Sequence, residues 1–427
     1  MRRLALILAA AALLATPSVA AAGPVASPYV VVLDDAVADT HAAIERLARS
    51  VHAAPGLRYR TALKGFSARL TAGQLAALRA DPAVDFVEAD TVLSAAGRVA
   101  LAAGETVPAG LRRIGAATAT TAGEASDTKI AVLDTGVDLA NPDLDAISGA
   151  NCIKPGTPAA DDNGHGTHVA GVIAAANAGR DVVGVAPGTE IYSVKVLNAR
   201  ATGTLSQFLC GINWLAANAA GLGIRVVNMS ITGSGRDDGN CGNTNADAMH
   251  KAICAATGAG VTFVVSAGNA GADFARSVPA AYPEVLTATA MTDSDGVPGA
   301  AGAAPKCKKG EADDRYAAYS NYAVGPTAAA HTLSAPGTCV VSSKPGGGTA
   351  TYYGTSQAAP HVAGAVALCI SRAGGPGPCA GLPPAGVIAH VRDDAAAVAT
   401  LANGFLGDPL RSLSGKVYGP LIAAAGY

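Results

Sequence analysis

Four uninterrupted apolar runs constrain this chain more than any other feature: KIAVLD (Lys129–Asp134), EIYSVKVL (Glu190–Leu197), RVVNMSI (Arg225–Ile231) and VTFVVSAG (Val261–Gly268). A strand with one wet face alternates apolar and polar residues, and these runs do not, so both of their faces must be covered. Between them lie stretches with helical spacing: GTHVAGVIAAAN from Gly166, LSQFLCGINWLAANAA from Leu205 and NADAMHKAICAAT from Asn245. Buried strands alternating with helices predict a doubly wound, mainly parallel α/β sheet with helices on both faces. Ligands of such sheets bind beyond the carboxyl ends of the strands. The polar residues that close the runs are therefore the first candidates for chemistry.

A second, smaller pattern precedes it. YVVVLDD from Tyr29, THAAIERLARSVH from Thr40, LRYRTALKGFSARL from Leu57, TAGQLAALRADP from Thr71 and VDFVEAD from Val84 read as strand, helix, strand or hairpin, helix, strand. That is the split β-α-β order of a ferredoxin-like α+β unit, with Thr71 and Gln74 forming a capping box. A unit this small is marginal alone and gains stability by docking on something larger. Residues 91–127, rich in Ala, Gly, Ser and Thr with little periodicity, read as a linker.

The first residues, MRRLALILAAAALLATPSVAAAG, join two arginines to a short apolar run and small residues, the design of a secretory signal peptide cleaved near Ala20 or Ala22. The apolar run falls short of the ~20 residues that span a bilayer, so a membrane anchor is disfavoured and the product is expected to be secreted. Thirty basic against 32 acidic residues, with no long single-sign run, argue against a nucleic-acid partner. All eight cysteines (152, 210, 241, 254, 307, 339, 369, 379) lie after residue 150 and none forms a CxxC pair. Four disulfides are expected rather than zinc. Their pairing stays open, with Cys369–Cys379 suggested only by its short range.

Asp134 closes the first run before Thr135-Gly136, and alone it reads as a turn or cap aspartate. In DDNGHGTHVAG, His165 sits between glycines at a helix start and His168 lies one turn further in. HExxH spacing is absent, which argues against a metalloprotease site. An imidazole at a helix mouth can instead act as a general base if a carboxylate holds its other nitrogen, and Asp134 can supply one. His168 reads as a buried, satisfied histidine. In GTSQAAPHVAG (residues 354–364), Ser356 opens a helix whose free N–H groups and dipole can receive a developing oxyanion. Pro360 is placed near the first turn of that helix, where a missing N–H costs least. Asn269, just past the fourth run, can supply a side-chain amide to the same rim. Its alternative reading is a turn asparagine.

DTG (134–136), HGTHVAG (165–171) and GTSQAAPHVAG resemble the three signatures of the subtilisin-like serine proteases, or subtilases, in the order Asp, His, Ser. GVAPGTEIYSVKVL (184–197), NMSITGSG (228–235) and SAPG (334–337) extend the resemblance, and NAGADFAR (269–276) is most similar to the proteinase K branch. Residues 29–90 resemble the inhibitor prodomain of the family. The resemblance implies a secreted serine endopeptidase, made as an autoprocessed zymogen, acting as a monomer on polypeptides and inhibited by its own prodomain. It implies Ser356 as nucleophile, His165 as base then acid, Asp134 as orienter and Asn269 as oxyanion donor. Ser230, Ile231 and Thr232 would line one pocket wall and Ser266, Ala267 and Gly268 the other. Thr232 departs from the usual glycine. Gln357 replaces the common methionine, and its amide is expected to face solvent with little effect on chemistry.

The implied domains are 1–22 (signal peptide), 23–96 (prodomain), 97–127 (linker and mature N-terminal segment) and 128–427 (peptidase), with self-cleavage near Ala96 or as late as Gly104. No catalytic cofactor is implied. Structural calcium is common among relatives, but no EF-hand-like loop assigns a site here. The rival readings are a catalytically inactive binding protein with the same fold, and an esterase, whose GxSxG signature is missing.

Overall fold

The computed structural model describes residues 26–90, 92–95, 107–118 and 121–427. The expected signal peptide and the processing junction from Ala96 to Gly104 lie outside the described residues.

The leading unit runs β1 (Ser27–Leu33), α1 (Thr40–Ser50), β2 (Pro55–Tyr59), β3 (Gly65–Leu70), α2 (Ala72–Arg79) and β4 (Val84–Ala89). Its antiparallel sheet has the order β2-β3-β1-β4. Thr71 caps α2, and the Thr71 N–H donates to Gln74 Oε1 at 2.8 Å, completing the capping box. The run VVVL of β1 is apolar on both faces because both are covered. Val31 and Leu33 pack with Ile44, Leu47, Phe66 and Leu78 under the unit's own helices. Val30 and Val32 instead join the core of the larger unit.

After β5 (Val92–Ala95), the larger unit continues with α3 (Ala109–Arg113), β6 (Lys129–Asp134), β7 (Ala146–Asn151), α4 (His165–Ala174), β8 (Ile191–Lys195), β9 (Thr202–Thr204) and α5 (Leu205–Leu222). Next come β10 (Ile224–Met229), β11 (Ile231–Ser234), α6 (Ala248–Gly258), β12 (Thr262–Ser266), β13 (Ser277–Val278), β14 (Leu286–Thr292) and β15 (Arg315–Tyr316). Then follow α7 (Pro326–Ala329), β16 (Thr332–Pro336), β17 (Val340–Ser343), β18 (Thr349–Tyr352), α8 (Thr355–Ile370) and α9 (Pro384–Val398). The main sheet has the order β15-β14-β12-β10-β6-β8-β7, with β16 beside β14. Its pairs are parallel except that of β14 with β15.

The expected double winding is visible within one strand. Ile130 and Val132 of β6 face the layer of α4 and α8, whereas Ala131 and Leu133 face that of α5 and α6. Every residue of α8 is buried, which its Ala, Gly and Val content permits by letting neighbours approach closely. Four disulfides join Cys152–Cys210, Cys241–Cys254, Cys307–Cys339 and Cys369–Cys379. No described helix is long and apolar enough to cross a membrane.

The leading unit docks on α5 and α6 through charged and polar ends. Asp90 accepts from the Ser206 N–H (2.7 Å) and hydroxyl (2.5 Å) at the start of α5. Glu88 accepts from the Ala248 N–H (2.6 Å) at the start of α6. Asn213 Oδ1 on α5 accepts from the N–H groups of Arg60 (2.8 Å) and Thr61 (2.7 Å). Each acid satisfies helix donors that have no intrahelical partner and sits at the positive end of the dipole.

Candidate active site

Three parallel strands deliver polar residues to one rim: Asp134 ends β6, Ser230 follows β10, and Ser266 ends β12 just before Asn269. The amino ends of α4 and α8, which pack together, bring His165 and Ser356 to that rim.

His165 Nδ1 lies 2.7 Å from Asp134 Oδ1, with both side chains buried. An ionised carboxylate only accepts, so Nδ1 carries the hydrogen and Nε2 is the basic nitrogen of the neutral ring. The Thr135 N–H donates to the same Asp134 oxygen at 2.7 Å, fixing the carboxylate. Gly166 is required next to the imidazole, since a Cβ there would lie 2.0 Å from the Gly136 carbonyl oxygen.

Ser356 is fully buried, and its hydroxyl donates to the Ser230 carbonyl at 3.2 Å. Among the described residues no hydrogen bond joins that hydroxyl to His165. The helix begins at Thr355, which makes Pro360 an interior residue, not a first-turn one as the sequence suggested. The N–H that proline lacks would have bonded to the Ser356 carbonyl. That carbonyl instead accepts from the Ser230 hydroxyl at 2.8 Å, and Ser230 Oγ accepts from Asn228 Nδ2 at 2.9 Å. Ser230 thus substitutes for the missing helix donor and holds the backbone of Ser356 in place.

Asn269 is oriented by Thr355, whose N–H and hydroxyl donate to Asn269 Oδ1 at 2.8 and 3.0 Å. With its oxygen engaged, the amide turns Nδ2 the other way, where it is buried without an acceptor among the described residues. Gly354 adopts φ 146°, a conformation that disfavours side chains, and a Cβ there would meet Asn269 Nδ2 at 3.2 Å. A carboxylate-held imidazole, a serine at a helix mouth and a side-chain amide without an acceptor form a set suited to acyl transfer.

Residues 125–404 match the subtilase family and residues 28–96 match peptidase inhibitor I9. The chain belongs to the subtilase family. This subtilase is 37% identical over 305 residues to the alkaline protease of Shouchella clausii, covering 71% of this chain and 68% of the relative. To subtilisin E of Bacillus subtilis (strain 168) it is 33% identical over 300 residues, covering 69% and 67%. Among solved structures, a cold-adapted subtilisin-like serine proteinase matches with TM-score 0.53 and 28% identity, covering 74% of this chain and 99% of that one. The protein is therefore a serine endopeptidase with an I9 prodomain.

In this subtilase, the residues expected to line the two pocket walls face each other. Ser266 Oγ donates to the Ile231 carbonyl at 3.2 Å, and a Cβ on Gly268 would meet Thr232 Oγ1 at 3.3 Å. Thr232 does not prevent strand addition: β5 pairs antiparallel with β11, Thr232 opposite Ser94 and Ile231 opposite Ala95. On its other side β5 pairs with β9, giving the order β13-β11-β5-β9.

The expectation for Gln357 is corrected: its side chain is fully buried, because the first turn of α8 has no solvent face. His168 is buried as expected and its Nε2 lies 3.1 Å from the Val340 carbonyl, but its Nδ1 has no hydrogen-bond partner among the described residues. It lies stacked on Tyr352 with ring centroids 4.3 Å apart, and burial lowers its pKa to about 3, so it stays neutral.

Several supporting residues escaped the sequence reading. Thr355 orients Asn269. Buried Lys195 donates to the Thr135 carbonyl (2.5 Å) and to Asp162 (2.6 Å), joining the loops that carry Asp134 and His165. Asp161 accepts from Thr135 Oγ1 (2.8 Å), the Gly164 N–H (2.9 Å) and the Thr167 N–H (3.0 Å), shaping the turn before His165. The signal for Lys195 was present, since a lysine inside an otherwise apolar run needs partners. At the prodomain interface, burial and the nearby Asp247 push Glu88 up to about 8.

Proposed function

We propose that Ser356, His165 and Asp134 form the catalytic triad of this protease and that Asn269 donates to the oxyanion. The observation that carries the assignment is the 2.7 Å contact between His165 and Asp134, on the rim where α8 presents Ser356. With a peptide bound, the Ser356 hydroxyl leaves the Ser230 carbonyl and gives its proton to His165 Nε2 as Oγ attacks the substrate carbonyl. Hydrogen bonds of this kind are often made only in the Michaelis complex. Asn269 Nδ2 and the Ser356 N–H receive the oxyanion, His165 protonates the leaving amine, and water releases the acyl-enzyme.

The chain is proposed to be exported by residues 1–22, to fold with residues 23–96 docked, and to cleave itself between Ala96 and Gly104. The pairing of β5 supports this reading, since an extended substrate can add to the same edges. Ser230, Ile231, Thr232, Ser266, Ala267 and Gly268 are proposed to accept apolar or aliphatic side chains before the scissile bond. The mature enzyme is taken to be extracellular and monomeric. Structural calcium is part of this reading without assigned ligands, and it predicts a lower unfolding temperature on chelation.

A fluorophosphonate probe tests the triad directly. The processed protein should be labelled at Ser356 and should hydrolyse casein, with no comparable action on long-chain esters. A processed, folded protein left unlabelled at Ser356 would refute the assignment.

A further inference from the structure

Gln357 follows Ser356 on the first turn of α8, and among the described residues neither polar atom of its buried amide has a hydrogen-bond partner. Burying an unpaired amide destabilises a fold, so natural proteins seldom keep one away from a functional site. Its position supplies the function. A point one Cβ bond from Gly354 lies 3.1 Å from Gln357 Oε1 and 3.2 Å from Asn269 Nδ2. Two carboxamides from different segments therefore converge on the space over Gly354, beside the nucleophile. The Asn269 amide is held by Thr355, whereas the Gln357 amide has no such restraint, and turning it over exchanges Oε1 for Nε2.

Building on the triad and oxyanion roles given above, we propose that Gln357 is a second side-chain donor to the oxyanion. As the tetrahedral intermediate forms, Gln357 Nε2–H and Asn269 Nδ2–H both address the oxygen that gains the negative charge. No bond to Gln357 is made or broken. The substrate completes the hydrogen bond that the resting enzyme leaves unmade.

The test uses the full chain, matured and counted by fluorophosphonate titration, with Gln357→Met and Gln357→Glu as variants. Methionine keeps the length and removes the polar atoms. It should raise the unfolding temperature while lowering kcat on a peptide amide about tenfold, with KM within about twofold, the loss typical of one hydrogen bond to a charged group. Gln357→Glu places a negative charge beside the oxyanion and should lower kcat further. Gln357→Met with kcat unchanged, or Gln357→Glu as active as the parent, would overturn the proposal. Asn269→Ala, measured alongside, separates the two levels of argument. If it loses activity while Gln357→Met does not, the second donor alone is wrong; if neither loses activity, the oxyanion assignment itself fails.

Discussion

The contact between Glu88 and the start of α6 makes prodomain binding dependent on pH in a calculable way. Glu88 accepts from the Ala248 N–H and sits near Asp247, and burial together with that neighbouring charge raises its pKa from 4.5 to about 8. A carboxyl whose pKa is higher in the docked state is one that docking leaves protonated. Below pH ~4.5 it is protonated whether free or docked, and docking carries no penalty. As the pH rises toward 8, the free prodomain ionises but the docked one resists, and the association constant falls by up to tenfold per unit. Above pH ~8 the dependence levels off. Solvent reaches part of this side chain, so about 10²-fold in all, and not the full 10³, is expected between pH 5 and 8.

The assay is a calorimetric titration of separately expressed residues 23–96 into mature enzyme carrying Ser356→Ala, at intervals from pH 5 to 9. A Glu88→Gln prodomain keeps an acceptor for the Ala248 N–H but cannot ionise. Its affinity should vary much less with pH, and at pH 8 it should bind about 10²-fold more tightly than the parent prodomain. Asp247, His250 and Tyr282 are present in both titrations, so a difference between the two slopes reports on Glu88. Parallel pH slopes for the two prodomains would refute the assignment of the proton to Glu88.

Losses measured in subtilisin, a member of this family, set the scale for two further changes: Ser356→Ala should lower kcat about 10⁶-fold and Asn269→Ala about 10²- to 10³-fold. Equal losses in peptide hydrolysis would contradict the roles. Ser230→Ala strands the Ser356 carbonyl, which Pro360 cannot serve, and should cost about 1–3 kcal/mol of stability. Adding Pro360→Ala restores an N–H at the matching helix position, so chemical denaturation of the double variant should recover much of that loss; no recovery would disprove the exchange of donors. Replacing both Cys152 and Cys210 by Ala opens a crosslink spanning 58 residues, and chain entropy predicts a loss of about 4 kcal/mol in denaturant unfolding. A loss under about 1 kcal/mol would show that the crosslink does little to constrain the unfolded chain.

Much of the fold was legible because it rests on period and punctuation. The apolar runs became β6, β8, β10 and β12, and the Thr71/Gln74 box capped α2 as read. Asp134, His165 and Ser356 could be singled out because each sits at a boundary where an element begins or ends. Gln357 and Pro360 were misjudged for a shared reason: local sequence does not reveal that α8 is enclosed on every side, so neither a solvent face nor an early end to the helix could be ruled out. Thr355 and Glu88 act across long intervals of chain, and only tertiary contact reveals their partners. The VVVL of β1 did carry a legible hint of docking, being apolar on the face its own helices do not reach.

The strand β5 lies between β9 and β11, so its removal leaves an opening one polypeptide wide between two backbone edges. With adjacent strands about 4.8 Å apart, that opening admits a fully extended main chain and excludes an α-helix, whose diameter is about 10 Å. On the proposed reading, in which substrate takes the place of β5, what this enzyme can cut is governed first by how easily a target frays. A compact protein should survive until several consecutive residues peel away from its surface, and the rate of its destruction should follow the frequency of that local opening more closely than the identity of any one side chain.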